Sequence, residues 1–280
     1  MKNGNTMTLL IPNDEDPDHA IQINYPTQSF VDNDLIVTSF KSLYRSNWGQ
    51  EGDPRTSGEN EQAEQQGASL LFGEILPSGV SKLLDKQHLD ASTATTLVDL
   101  GCGMSKLILQ SFLEYPNLNK VVGIELCRSR FLLGVNSLKI LAAANPSIFN
   151  ISVKDDFLEL IMQSKNNSLR ILRIYFGTLF NCKEALDSDI VICQTNFPSK
   201  TQPELIKLLS SFKINTRILL YHTLRDLPGV IPSGADTVYL NFNDERLAEY
   251  KQIAPMDSHF PTTWSPINGA HFDCWLKLSS

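Results

Sequence analysis

Three residues within one short span, and a fourth on the next strand, have the types and spacing of a ligand site. Leu97 to Gln110 reads LVDLGCGMSKLILQ. An apolar run ends on Asp99, Gly101 and Gly103 follow with one residue between them, and helical spacing begins near Ser105. Glycine permits a tight turn and lets a ligand come close to the backbone. The first turn of the helix that follows offers free N–H groups to anything negative. A second apolar run, VVGIEL, ends with Glu125, 24 residues after Gly101. A carboxylate at that place can accept hydrogen bonds from both hydroxyls of a ribose. The chemistry indicated is the binding of a nucleoside-bearing ligand beyond the carboxyl ends of two neighbouring strands.

Three readings compete for the turn. A lone G-x-G is compatible with a purely structural strand-turn-helix. A nicotinamide or flavin dinucleotide site wants a third glycine, and Lys106 stands there instead. An S-adenosylmethionine site places an acid two residues before the first glycine, where Asp99 stands, and needs no room for a pyrophosphate. The missing third glycine and the preceding acid favour the last reading, with Lys106 either paired to a cofactor carboxylate or facing water.

The elements that must position these residues alternate in type. TTLVDL, VVGIEL, RILRIYFG, SDIVICQ and TRILLYH read as strands. SKLILQSFLEY, CRSRFLLGVNSLKILAAA and QPELIKLLSSF have helical spacing, the second with Leu132, Val135, Leu138 and Leu141 near one face. Such alternation predicts an α/β parallel sheet. TVYLNF and HFDCWLKL, with no helical pattern between them, predict an antiparallel hairpin at the sheet's end. Pro77 in LLFGEILPSGVSKLLDK marks a helix start. Residues 145–169 read as an inserted loop with a short helix. Gly49 to Gly67, GQEGDPRTSGENEQAEQQG, has almost nothing to bury and reads as a polar loop. We therefore expect an N-terminal arm and linker over 1–66 and a ligand-binding domain over 67–280.

Composition removes several function classes. Net charge is −7 and no run of four basic residues occurs, which argues against bulk attraction to nucleic-acid phosphates. No apolar stretch approaches the ~18 residues of a membrane span. The first residues have too short an apolar run for a signal peptide. Five scattered cysteines without C-x-x-C read as reduced thiols of a cytosolic or nuclear protein, and neither they nor the five histidines have metal-ligand spacing. No metal is expected.

Apolar strand, Asp99, G-x-G, then strand and Glu125 resembles motif I of the class I methyltransferases. Further blocks narrow the resemblance. Leu71-Phe72-Gly73-Glu74 lies upstream, Thr195-Asn196-Phe197 follows the fourth strand, and Thr263-Trp264-Ser265 precedes the last one. In this order, over about Ser69 to Lys277, they are similar to the disruptor-of-telomeric-silencing family, the non-SET histone H3 lysine methyltransferases. The resemblance implies a Rossmann-like, mostly parallel seven-stranded sheet with S-adenosylmethionine as cofactor. It implies that Phe72, Gly73 and Glu74 loop over the methionine part of the cofactor. Asp99 and Gly101 would contact its amino acid end, with Gly103 and Lys106 nearby, and Glu125 its ribose. Gly177, Thr178 and Leu179 stand where the family contacts adenine, although Thr178 is not the family's acid and Asp156-Phe157 offers an alternative acid-Phe pair. Asn196 and Phe197 would sit beside the transferring methyl, and Trp264 would wall the lysine channel. His271 and Phe272 replace the paired aromatics of the last strand. Asn196, Phe197, Trp264 and Phe72 are thus the candidate catalytic set. The implied substrate is a lysine in the folded core of histone H3 on nucleosomes, in the nucleus.

Methyl transfer from a sulfonium is an in-line displacement, so positioning is the main task. An apolar channel also lowers the pKa of a lysine amine, by disfavouring its charged form. Two other functions remain open: a class I methyltransferase acting on RNA, DNA or a small molecule, and a catalytically silent binding module. The Asn-Pro-Pro-aromatic run of many amide and adenine methyltransferases is absent after strand four.

Overall fold

A computed structural model describes residues 6–11, 21–26, 58–65, 70–71, 73–154, 159–165, 169–221, 223–243, 246–254 and 258–279. In chain order the elements are β1 (Thr6–Ile11), β2 (Ile21–Pro26), α1 (Glu59–Gln65), α2 (Pro77–Leu83), β3 (Thr96–Leu100), α3 (Lys106–Glu114), β4 (Lys120–Glu125), α4 (Arg128–Ala144), β5 (Phe149–Lys154), β6 (Glu159–Ser164) and β7 (Ile171–Phe176). They continue with β8 (Ile190–Cys193), α5 (Gln202–Ser211), β9 (Arg217–Leu220), β10 (Val230–Pro232), β11 (Thr237–Asn243), β12 (Arg246–Gln252), β13 (His259–Thr262), β14 (Ser265–His271) and β15 (Asp273–Lys277).

The continuous apolar runs become the centre of the sheet because both of their faces are covered. Leu97, Val121, Ile190, Ile192 and Leu219 point into one core, with Ile108, Phe112, Phe131, Val135 and Leu138 of α3 and α4. Val98, Leu100, Val122, Ile124, Val191 and Leu220 point into the other, with Leu205, Leu209 and Phe212 of α5 and its flank. Burying each such side chain contributes about 1.5–3 kcal/mol. Gly123 in β4 is required by packing: a Cβ there would stand 2.6 Å from Cys102 Sγ and 2.7 Å from Ile108 Cδ1.

Among the described residues the main sheet has the order β10-β11-β12-β15-β9-β8-β3-β4-β7-β6-β5. The five central strands, β7-β4-β3-β8-β9, are parallel. The last strand, β15, enters antiparallel between β9 and β12. Strands β12, β15, β9, β8, β3, β4 and β7 are the seven of a class I methyltransferase fold, which the chain therefore has. The chain runs from β3 outward to β4 and β7, then crosses back to β8, so the strand order reverses between β3 and β8. A ligand crevice is expected there.

Several expectations change. Residues 145–169 hold no described helix beyond the ordered turn after α4; β5 and β6 form an antiparallel hairpin that extends the sheet past β7. The alternating burial along FNISVK is the period-two signal of a half-buried strand. The closing hairpin is part of a longer meander, β10-β11-β12, with β15 between β12 and β9. Leu132 faces solvent, and α4 instead buries Phe131, Val135, Leu138 and Leu141. Within the polar linker, Glu59 to Gln65 is helical and docked. Glu59 accepts from the Ser129 backbone N–H (3.0 Å) and the Ser129 hydroxyl (2.8 Å) at the start of α4. Ala63 is buried and Lys200 Nζ donates to the Glu64 carbonyl. The rest of the linker, 49–57 and 66–67, lies outside the described residues. All five cysteines are free and buried. No described helix is long and apolar enough to cross a membrane.

Candidate functional site

A cavity of about 290 Å³ opens at the carboxyl ends of the five parallel strands. Its floor is the turn after β3. Gly101 and Gly103 take positive φ (95° and 53°), and Ser105, the non-glycine between turn and helix, also does (70°). The turn is pinned from the neighbouring strand. The Gly101 and Cys102 N–H groups donate to the Ile124 carbonyl. Gly103 N donates to Glu125 Oε2 (2.8 Å), and Cys127 N donates to Glu125 Oε1 (2.7 Å). Each carboxylate oxygen keeps a lone pair for a further donor. Burial raises the Glu125 pKa, against the lowering by the Cys127 N–H, the Arg130 charge and the Gly103 N–H.

Asp99 lies behind this turn. It is fully buried, does not line the cavity, and neither carboxylate oxygen has a hydrogen-bond partner. Burial, and then the charge of Glu125, push its pKa up to about 8. An orphaned buried carboxyl is costly unless something pairs with it. A cation placed at the turn would do so. The two carboxylates, as acceptors, therefore fit a ligand with ribose hydroxyls at Glu125 and an amino group near Asp99.

The opposite wall comes from the loop after β8. Thr195 Oγ1 donates to the Leu100 carbonyl (3.1 Å) and fills the space that a Gly101 side chain would need, at 2.5 Å. This lock sets Asn196 and Phe197 on the cavity, with the Phe197 ring 6.1 Å from that of Phe180. Gly177, Thr178 and Leu179, which follow β7, line the far side. Asp156 and Phe157 lie outside the described residues.

The roof joins two distant segments. Leu76 N donates to the Pro261 carbonyl, Thr263 N to the Glu74 carbonyl and Glu74 N to Thr263 Oγ1. The Trp264 indole lies so close over Gly73 that a Cβ there would sit 2.2 Å from Cζ3. Trp264 lines the cavity and is 48% exposed, at its mouth. Phe72 lies outside the described residues. Lys106 does not face water: its Nζ is 2.6 Å from Glu74 Oε2, and both side chains are mostly buried on the cavity wall. Phe272 is fully buried behind the wall, with its ring 5.8 Å from Tyr221 and 6.4 Å from Trp264. His271 pairs with Asp273 at 2.9 Å and does not line the cavity.

The cavity is also lined by Arg130, Tyr221 and Gln194, which the sequence motifs do not single out. Arg130, two residues into α4, donates to the Leu70 carbonyl (2.7 Å) and ties the segment before Gly73 to the wall. Tyr221 and Gln194 sit at the carboxyl ends of β9 and β8. Their position directly after apolar strands is the signal that would have found them. Among the described residues no cluster of three or more His, Cys, Asp or Glu could hold a metal ion.

No family model matches the chain, and no curated protein matches it. Among solved structures it is similar to the putative methyltransferase yhhF from Escherichia coli, at 12% identity over 72% of this chain and 86% of that one, with a TM-score of 0.40. It is also similar to a putative O-methyltransferase from Klebsiella pneumoniae, at 13% identity over 81% and 91%, TM-score 0.39. A third is an RNA methyltransferase from Salinibacter ruber in complex with S-adenosyl-L-homocysteine, at 18% identity over 60% and 92%, TM-score 0.36. Likenesses this distant carry no argument about substrate, and the class I arrangement stands on the strand order itself.

Proposed function

We propose that this chain is an S-adenosylmethionine-dependent methyltransferase. The observation that supports it most is the joint arrangement of Asp99, the Gly101–Gly103 turn and Glu125 at the point where strand order reverses. Bound there, S-adenosylmethionine supplies a methyl group already activated by its sulfonium. Glu125 would hold the ribose, ionised Asp99 would face the amino group, and Thr178 and Leu179 would border the base. The Lys106–Glu74 pair would border the methionine end. Asn196, Phe197, Tyr221 and Trp264 would form the substrate side. Their aromatic surface excludes water and orients the nucleophile behind the methyl.

Substrate class divides into a wider and a finer reading. The fold and the cavity support the wider one, a class I methyltransferase whose acceptor belongs to RNA, DNA, a small molecule or a protein. The finer one, a lysine in the folded core of histone H3, is supported by the F-G-E, D-L-G-C-G, T-N-F and T-W-S blocks alone. The nucleosome as partner and a nuclear location follow from the finer reading and fall with it. The test is parallel incubation of the protein and methyl-labelled S-adenosylmethionine with nucleosomes, a histone H3 peptide and total RNA, with mass spectrometry locating the label. The lysine reading requires label on nucleosomes and little on the peptide, which lacks the surface that positions the amine. Label confined to RNA would reject it and leave the wider reading in place.

A further inference from the structure

Lys106 stands where local chemistry opposes it. It is the first residue of α3, whose first turn holds no acid, so its charge lies at the positive end of a helix dipole. It is also buried, where an unpaired ammonium is costly. Its partner comes from the roof: Glu74 Oε2, at 2.6 Å. A charge pair kept where both the helix and burial oppose it points to something that the pair positions.

Glu74 carries the connection upward. Its side chain reaches the floor, while its backbone is fixed to Thr263 twice. The Glu74 N–H donates to Thr263 Oγ1 (3.1 Å), and the Glu74 carbonyl accepts from the Thr263 N–H (2.9 Å). Trp264 is the next residue, and its ring lies on Gly73, the residue before Glu74. The base of the β13–β14 hairpin is held separately, by Lys82 Nζ donating to the His259 carbonyl (2.7 Å). Its tip, with Trp264, is held through Glu74.

We propose that Lys106 and Glu74 form a latch that seats Trp264 over the acceptor, which makes Lys106 a positioning residue of the substrate wall. The role of Trp264 in it rests on the methyltransferase reading above. The latch gives way on one side. Lys106 is fixed in a helix that follows the Gly101–Gly103 turn, whereas Glu74 stands in a loop. A charge left without its partner gains by reaching water, so the roof lifts and takes Thr263 and Trp264 with it.

Acrylamide quenching of tryptophan fluorescence reads the latch without cofactor or acceptor. The chain has three tryptophans. Trp275 is fully buried and sealed from the quencher, and Trp48→Phe removes another, which leaves Trp264 as the reporter. Trp264 is 48% exposed, so its release should raise the quenching constant about twofold. Lys106→Met and Glu74→Met should each do this, and the double variant should do no more than either, because they break one contact. The charge-swapped variant, Lys106→Glu with Glu74→Lys, should return to the wild-type constant, and it carries the test if the single variants do not fold. Label transfer to whichever acceptor takes label in the incubation above should fall about ten- to a hundredfold in the single variants and recover in the swap. A wild-type constant in Glu74→Met, a raised one in the swap, or full label transfer alongside a raised constant would overturn the latch. Failure of wild type to bind S-adenosylhomocysteine in calorimetry would instead overturn the methyltransferase reading, and the quenching result would still decide whether the pair holds Trp264.

Discussion

The buried carboxyl of Asp99 makes cofactor binding depend on pH in a defined direction. Its pKa is pushed up to about 8, so at pH 7 about nine carboxyls in ten are protonated. A ligand whose ammonium pairs with ionised Asp99 must displace that proton. Binding at pH 7 should therefore release close to one proton. Affinity for S-adenosylhomocysteine should rise almost tenfold, about 1.4 kcal/mol, for each pH unit from about 6 to 7.5, and level off near pH 8. The ligand's own amine sets the upper limit of the window. The assay is calorimetry at several pH values in buffers of different ionisation enthalpy, where the observed heat varies with buffer in proportion to the protons released. Asp99→Asn cannot ionise and should bind weakly with an affinity flat in pH. The same shift acts on stability. The folded state holds a proton that the unfolded chain releases above about pH 4, so the contribution of Asp99 falls as pH rises toward 8. Asp99→Asn should remove that slope. Wild-type affinity that is independent of pH, with no buffer-dependent heat, would refute the pairing of Asp99 with the ligand.

Three more variants test other parts of the site. Glu125→Ala removes the acceptor for the Gly103 and Cys127 N–H groups as well as the proposed ribose contact; cofactor affinity should fall about ten- to a hundredfold by calorimetry, and wild-type affinity would remove the ribose from this place. Gly73→Ala puts a methyl 2.2 Å from the Trp264 ring, which must move by roughly 1 Å or more. Turnover should fall by up to about a hundredfold while the melting temperature barely changes, since Trp264 is half exposed; unchanged turnover would take Trp264 out of the substrate wall. Glu59→Ala strips the start of α4 of its borrowed cap, so stability should drop by about 0.5–2 kcal/mol in denaturant unfolding, and no drop would mean that α1 is not held there.

What the sequence disclosed was local and periodic. The parallel strands were legible as short apolar runs, although β7 buries only one face fully and carries Arg173 and Tyr175 on the other, and Asp99, Gly101, Gly103 and Glu125 were legible because strand ends and the turn fixed their places. The blocks at Gly73, Asn196 and Trp264 are far apart in sequence, and only the strand order brings them to one cavity. The β5–β6 hairpin was missed because the alternation along FNISVK is confined to one six-residue strand, and an apolar run such as ELIM suits a helix equally well. The helix Glu59–Gln65 was missed because it has little apolar surface; what fixes it is a carboxylate reaching the start of a helix 70 residues later. The partner of Lys106 was beyond reach for the same reason, since Glu74 is brought to it by the fold. Gln194 and Tyr221 stood at legible positions, but only the cavity shows that their side chains share it.

The most direct measurement of the central claim is equilibrium dialysis of labelled S-adenosylmethionine against the full chain, with S-adenosylhomocysteine and NAD as competitors and Glu125→Ala alongside. Saturable binding displaced by S-adenosylhomocysteine, untouched by NAD and weakened in the variant is the expected result. No saturable binding, or displacement by NAD in preference to S-adenosylhomocysteine, would contradict it.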